Sequence, residues 1–243
     1  MPLAVSSTRR RSASNQSARR EGGAQVMTQY EVFHYTGKQL DIEWDGRLCI
    51  HMGECGCVKG ELFVAGRKPW CRPDLVSPED AFDVVKRCPS GALTFIDKSA
   101  GITETPVQNN TVQVVYNGPL FLQGDLDIEC AAGDMPGVRF RAALCRCGQS
   151  KNKPYCDNSH VEVGFSDSGA VGESGDGFEQ AGGKLIVRLV EDGPLRLSGS
   201  FAIVASSGRL AWRGTEAVLC RCGSSGNKPF CDGSHKAVGF KSE

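Results

Sequence analysis

Apolar and polar residues alternate in YEVFHY (from Tyr30) and LDIEW (from Leu40), with TGKQ between them, and this predicts a β-hairpin. Further along, Ala81, Val84, Val85 and Cys88 fall at i, i+3, i+4 and i+7 and predict a helix with one apolar face. Ser77 suits its N-cap, Asp80 completes a capping-box arrangement, Pro78 fits the first helical position and Pro89 ends the helix. ALTFI, from Ala92, then predicts a closing strand, and a cysteine-rich loop from Cys49 to Cys71 separates hairpin from helix. Residues Met1 to Gln25 are rich in Ser and Arg and too poor in apolar residues to order themselves, so disorder is expected. Their lack of acids before Glu21 resembles a transit peptide; the plainer expectation is a dispensable extension with translation starting at Met27.

From Val107 onward the chain repeats itself with an offset of 75 residues. YNGPLFLQGDL from Tyr116 aligns with EDGPLRLSGSF from Glu191, and LCRCGQSKNKPYCDNSH from Leu144 with LCRCGSSGNKPFCDGSH from Leu219, without a gap. Two copies of one supersecondary unit follow, each of short strands leading into a cysteine loop and packed about a pseudo-two-fold axis. The Gly- and Ser-rich stretch SDSGAVGESGDGFEQAGG between them is expected to be a flexible connector. The organisation expected is 1–28 basic extension, 29–105 first domain, 106–168 first repeat, 169–183 linker and 184–243 second repeat.

Composition narrows the chemistry. The chain has 243 residues, 40% hydrophobic but only 7% aromatic, which favours several small cores assisted by metal. The formal net charge of zero lacks the basic excess usual for nucleic-acid binding. No apolar run is long enough for a transmembrane helix, so no membrane partner is expected. Twelve cysteines mean either disulfides in an exported protein or metal in a reducing compartment. The opening residues contain no apolar secretory segment, which favours metal, no disulfides and a cytoplasmic location, or an organellar matrix if the basic N-terminus is a transit peptide.

Each repeat carries C-x-C-x8-C-x3-H: Cys145, Cys147, Cys156 and His160, then Cys220, Cys222, Cys231 and His235. Cysteines one residue apart do not readily pair as a disulfide but can face one metal centre, and thiolate with imidazole suits zinc or iron. Spacing alone leaves zinc and iron open. The segments resemble the CDGSH iron–sulfur family, with signature C-x-C-x2-(S/T)-x3-P-x-C-D-G-(S/T)-H. The second repeat matches throughout, at Cys220, Cys222, Ser225, Pro229, Cys231, Asp232, Gly233, Ser234 and His235. The first matches at Cys145, Cys147, Ser150, Pro154, Cys156, Asp157, Ser159 and His160, and departs at Asn158, where the family has Gly. Asn is the best substitute for Gly at positive φ, so the first site is expected to form as well.

The resemblance implies two 2Fe-2S clusters, each with two Cys on one iron and Cys plus His on the other. It also implies a soluble member whose two motifs form an intramolecular pseudo-dimer, self-contained within one chain. Asp157 and Asp232 are expected to cap exposed N–H groups where a helix begins. Ser150 and Ser225 are expected either to donate toward a cluster sulfide or to satisfy the loop. Imidazole in place of thiolate raises a cluster's potential and can be protonated, so redox activity near physiological potentials with acid lability is expected. Loss of visible absorbance on acidification, slower in His160→Cys and His235→Cys, is the check; equal acid stability overturns the expectation.

In the first domain, Cys49 and Cys55 in CIHMGEC and Cys88 in RCPSGAL resemble the divergent mono-cluster ferredoxin domain, as do VKGELF and RKPW. Met52 stands where ordinary 4Fe-4S ferredoxins have another cysteine. Cys49, Cys55 and Cys88 are the expected ligands of one 3Fe-4S (or 4Fe-4S) cluster, with Cys57 or Cys71 able to complete a 4Fe-4S site. Cys130 has no counterpart in the second repeat and is expected to be a structural thiol. The whole predicts an α+β protein: a small ferredoxin-like domain, then a tandem pair of β-rich CDGSH units. No nucleotide loop or nucleophile elbow is found, so no catalytic residue is expected. Three functions compete: single-electron transfer with redox protein partners, 2Fe-2S donation to apo-acceptors or redox sensing, and a zinc-stabilised interaction module.

Overall fold

The structure, a computed structural model, describes residues 31–58, 60–99, 101–177 and 180–242. The expectations placed on residues 1–28 lie outside them. The fold is mixed α+β, with few helices and much sheet.

The hairpin forms as its alternation predicts: β1 (Val32–Thr36) pairs antiparallel with β2 (Leu40–Asp45), and β3 (Leu93–Asp97) joins the other side of β2. A one-turn helix α1 (Glu54–Cys57) lies in the cysteine-rich loop. Helix α2 (Pro78–Lys86) starts at Ser77, whose side chain accepts from the Asp80 amide at 3.1 Å, and buries Ala81, Val84 and Val85. These side chains close a core with Leu40, Ile42, Leu62, Phe63 and Leu93.

The repeats form a single seven-stranded sheet. The first contributes β4 (Asn110–Val114), β5 (Leu120–Gln123), β6 (Asp125–Ile128) and β7 (Arg141–Leu144); the second contributes β8 (Lys184–Leu189), β9 (Leu195–Val204) and β10 (Leu210–Leu219). Each repeat's first strand crosses to the other repeat. β4 pairs parallel with β9, Asn110 opposite Phe201, and β8 pairs parallel with β6, Leu185 opposite Leu126. Both registers are the same pairing at the sequence offset of 75. This exchange merges the two repeats into one core, separate from that of the first domain, with Val112, Leu122, Leu126, Leu144, Leu185, Phe201, Ile203 and Leu219 buried together.

Three departures from the sequence expectations have local causes. First, β9 and β10 are ten residues each, whereas the first repeat breaks at both places. At Gly124 (φ 155°) an added Cβ would lie 2.0 Å from Asn110 Oδ1. The buried Asn110 amide donates to Gly183 O and Ser200 O at 2.9 Å, and its oxygen accepts from Asp125 N at 3.0 Å. At Pro136 a ring without an N–H ends strand pairing, and Pro136–Arg139 form a 3-10 turn.

Second, the first domain docks on that break. Gly137 stands where the second repeat has Trp212, and a Cβ on it would come 2.0 Å from Gly91 O. Leu48 and Ala92 enter the repeats' core there, while Trp212 covers Phe201 and Phe230 at 4.9 and 6.2 Å in the second repeat.

Third, the connector expected to be flexible is held down over 169–177. Val171 is buried, Ser206 N donates to Gly169 O at 3.0 Å, and Gly177 N to Arg213 O at 2.9 Å. Its glycines give the tight approach of an edge strand, as at Gly175, whose Cβ would meet Arg213 O at 2.2 Å.

Candidate metal centres

In both repeats the cysteine loop is pinned at its two ends by backbone. Cys145 N donates to Pro154 O at 2.8 Å and Cys156 N to Ala143 O at 2.9 Å; Cys220 N and Cys231 N repeat this with Pro229 O and Val218 O at 2.8 and 2.9 Å. One-turn helices α3 (Ser159–Glu162) and α4 (Ser234–Ala237) carry the histidines. Their N-caps, Asn158 (φ 70°) and Gly233 (φ 90°), are both left-handed, which is why Asn serves where Gly otherwise stands.

The four donors of each motif come together as two pairs. Cys145 Sγ lies 3.7 Å from Cys147 Sγ, and Cys156 Sγ 3.5 Å from His160 Nδ1. The second repeat has the same two separations, 3.7 Å for Cys220 with Cys222 and 3.5 Å for Cys231 with His235. With metal–sulfur bonds of about 2.3 Å and metal–imidazole bonds of about 2.0 Å, a tetrahedral edge is about 3.8 Å for two sulfurs and about 3.5 Å for sulfur with nitrogen. Each pair therefore fits two donors on one metal atom. Among the described residues no three His, Cys, Asp or Glu side chains converge on a single ion-sized point. The donor set fits a centre with two metal atoms.

Backbone donors face one sulfur of each pair. Backbone N–H groups of Gln149 and Asn158 approach Cys147 Sγ and Cys156 Sγ at 3.4 Å, with Ser224 and Gly233 in the same places at 3.5 and 3.4 Å. Cys145 is held down by its hydrogen bond with Cys147, whereas burial pushes Cys156 up to about 12, so a metal must displace that proton. Burial holds His160 below its ordinary value, in the neutral form that ligates.

The serine expectation resolves toward loop satisfaction. The single hydroxyl proton of Ser150 goes to Tyr155 O at 2.6 Å, and that of Ser225 to Phe230 O at 2.6 Å, which leaves none for a sulfide. Asp157 accepts from Ser159 N at 3.0 Å, as a capping carboxylate, and also from Lys151 N at 2.8 Å across the loop. Asp232 does the same with Ser234 N and Gly226 N at 3.0 and 2.7 Å, and the Ser234 hydroxyl, donating at 2.6 Å, together with these amides holds its carboxyl well below the usual range.

Sequence reasoning missed the residue between the paired cysteines. Arg146 is 1% exposed and Arg221 2%. Arg146 donates to Gly118 O at 2.9 Å and Val115 O at 2.6 Å, pairs with Asp167, and stacks over Phe165 at 5.1 Å. Arg221 donates to Gly193 O and Val190 O at 2.9 and 2.7 Å and stacks over Phe240 at 5.3 Å. The signal was present: both repeats put Arg at that position. The two sites also lie back to back. A Cβ on Gly148 would be 2.7 Å from Cys222 O, and one on Gly223 2.7 Å from Cys147 O.

In the first domain, Cys55 is raised by burial and by the nearby Cys88 and Cys49, so the three expected residues share one electrostatic neighbourhood. Cys57 is exposed. Cys71 is buried opposite Phe63, where burial pushes its thiol up to about 12, and it senses Cys55. Cys130, expected to be structural, is exposed at a turn with φ 65°. Among the described residues no helix is long and apolar enough to cross a membrane.

Donor pairs of this kind on a β-rich frame define a metal-binding protein, and the family models identify it as an iron–sulfur one. The family model "Iron-binding zinc finger CDGSH type" matches residues 117–161 and 192–236, and "Divergent 4Fe-4S mono-cluster" matches 35–98. The chain belongs to the CDGSH iron–sulfur family and carries a divergent 4Fe-4S mono-cluster domain ahead of its two motifs. The Escherichia coli K12 protein named "Uncharacterized protein YjdI" is 41% identical over 64 residues, covering 26% of this chain and 84% of that protein. The "CDGSH iron-sulfur domain protein" of Drosophila melanogaster is 31% identical over 75 residues, covering 31% of this chain and 45% of that protein.

Proposed function

We propose that the chain is a single-electron carrier whose motifs hold two 2Fe-2S clusters. Cys145 and Cys147 would hold one iron of the first cluster, with Cys156 and His160 on the other; Cys220, Cys222, Cys231 and His235 repeat this in a pseudo-dimer. Cys49, Cys55 and Cys88 would hold a 3Fe-4S cluster. The clusters supply reversible one-electron storage, and no catalytic residue is assigned. The observation that carries the reading is the pairing of donors at tetrahedral-edge distances, twice. Iron and acid-labile sulfide analysis with EPR tests it: about seven or eight irons per chain are expected. A pale protein holding only zinc overturns it. An oxidised-state EPR signal separates 3Fe-4S from 4Fe-4S, the alternative that the matched family's description and the position of Cys71 favour.

A second reading, donation of 2Fe-2S units to apo-proteins, is favoured by the rim of each site. The His160 and His235 turns carry the exposed Val161, Val163 and Val238, whereas Cys145 and Cys220 are buried.

The two 2Fe-2S potentials are expected to differ. The Arg146 charge is compensated by Asp167, whereas Asp192 near Arg221 is engaged by Lys241 at 2.6 Å and by Ser242 N at 2.9 Å. The less compensated cation favours the reduced cluster, so the second repeat should have the higher potential. Asp167→Asn should raise the first toward it in an EPR-monitored redox titration; an unchanged potential counts against this role.

A further inference from the structure

Contacts between the first domain and the first repeat cluster around the segments that carry Cys49 and Cys88. Asn158 Nδ2 donates to Ile50 O at 2.6 Å, and Asn152 Nδ2 to Arg47 O at 2.7 Å; both acceptors lie in the segment that carries Cys49. The Ile50 side chain packs against Cys156 and Ala143. Arg141 donates to Cys88 O at 2.8 Å. At the equivalent places the second repeat has Gly233, which has no side chain; Asn227, whose side chain donates to Glu173 at 2.8 Å; and Glu216. Asn158, the one departure from the signature in the first repeat, thus reaches the first domain beside Asn152 and Arg141, and it alone of the three also donates its backbone N–H to a motif cysteine, Cys156, at 3.4 Å.

We propose that Asn158 wires the first domain's cluster to the cluster of the first repeat, making the chain an intramolecular electron relay that enters the tandem pair by the first repeat. This rests on the cluster assignment above. The route runs from Cys49 through the peptide bond to Ile50 O, across the hydrogen bond to the Asn158 amide, and from the Asn158 backbone N–H to Cys156 Sγ at 3.4 Å. Tunnelling decays steeply across through-space gaps, and the only non-covalent steps on this route are its two hydrogen bonds. One electron leaves the reduced first-domain cluster, which is oxidised by one, and the first-repeat cluster is reduced by one; no atom moves. A one-electron reductant of the reduced-flavin class refills the first-domain cluster. Asn158 is a positioning residue, because it acts through Ile50 and Cys156.

The test uses the full chain with its clusters, reduced by sub-stoichiometric dithionite in rapid-freeze EPR. His235→Cys, which alters the second repeat's spectrum alone, assigns the two 2Fe-2S signals. The first repeat's signal is expected to appear several-fold faster than the second's and to relax faster while the first-domain cluster is paramagnetic. Asn158→Gly keeps the positive φ and removes the amide. Asn158→Asp keeps the size and removes the donor. Both are expected to abolish that advantage at full iron and sulfide content. Equal rates in the unmodified chain, or an advantage that persists in both fully loaded variants, overturn the relay and leave the cluster assignment standing. Absence of cluster iron overturns both.

Discussion

Cys220→Ala is expected to remove about two iron atoms per chain and the matching acid-labile sulfide, leaving the other clusters in place. Cys220 is 1% exposed, its amide is fixed to Pro229 O, and its sulfur makes one edge of a donor pair with Cys222. Alanine leaves Cys222 as a lone donor, and one thiolate does not hold that metal atom against water. The consequences reach beyond the metal, because binding energy at such a site is also folding energy. Arg221, next in sequence, is a buried cation satisfied by two carbonyls and an aromatic face. With the thiolate gone its burial is less well compensated, because Asp192, the nearby carboxylate, is also engaged by Lys241. The second repeat should therefore unfold at lower temperature as well as lose colour. Cys130→Ala, at an exposed turn, should change neither iron content nor stability. Iron and sulfide assays beside a thermal melt decide the matter; full iron in Cys220→Ala would remove this cysteine from the ligand set.

What the sequence made legible follows the same division. The signature residues are local, so their loops could be read directly: a Cys-x-Cys turn, a stiff Pro, a left-handed cap and a histidine one turn later. The α2 helix was legible because Ser77, Pro78 and the apolar face are all written within a dozen residues. The buried arginines were legible as a repeated residue type but not as a role, since the Val115 and Gly118 carbonyls that accept from Arg146 lie some thirty residues away. Asn110 was missed because its partners come from both repeats. The connector misled because glycine content signals freedom as readily as close approach. Here Gly169 and Gly175 are needed for approach, their Cβ positions being filled by Ser206 and by Trp212 with Arg213. The docking of the first domain had a trace in the sequence, Pro136 and Gly137 in place of Ala211 and Trp212, but that trace shows only where a strand stops and not what arrives there.

Arg141→Ala is expected to undock the first domain and to destabilise the protein by about 3–5 kcal/mol, the usual range when one partner of a buried charge network is removed. Arg141 is 3% exposed. Its guanidinium donates to Val85 O at 2.5 Å, Cys88 O at 2.8 Å and Leu93 O at 3.2 Å, and forms a two-pronged pair with Glu104 at 3.0 Å. Those carbonyls lie at the end of α2 and the start of β3, so a single side chain from β7 ties both to the repeats, adding to the Cys88 N donation that Val85 O receives at 3.1 Å within the first domain. Alanine removes the guanidinium donors from the Val85, Cys88 and Leu93 carbonyls, although Val85 O keeps Cys88 N, and leaves the Glu104 carboxylate without its cation. Arg141→Lys keeps the charge but not the planar fork, and should recover only part of the loss. For a chain of this size the melting temperature should fall by about 2–4 °C for each kcal/mol. Glu216→Ala, at the equivalent and exposed position of the second repeat, should stay within about 0.5 kcal/mol. Limited proteolysis should then cut the segment between β3 and β4 in Arg141→Ala well before it cuts the unmodified chain. Equal melting temperatures and equal cleavage would mean that the Gly91–Gly137 contact and the apolar seam of Leu48 and Ala92 hold the first domain by themselves. Separation on loss of Arg141 alone would make this one guanidinium the support of both the joint and the Cys88 turn that the joint delivers to the first repeat.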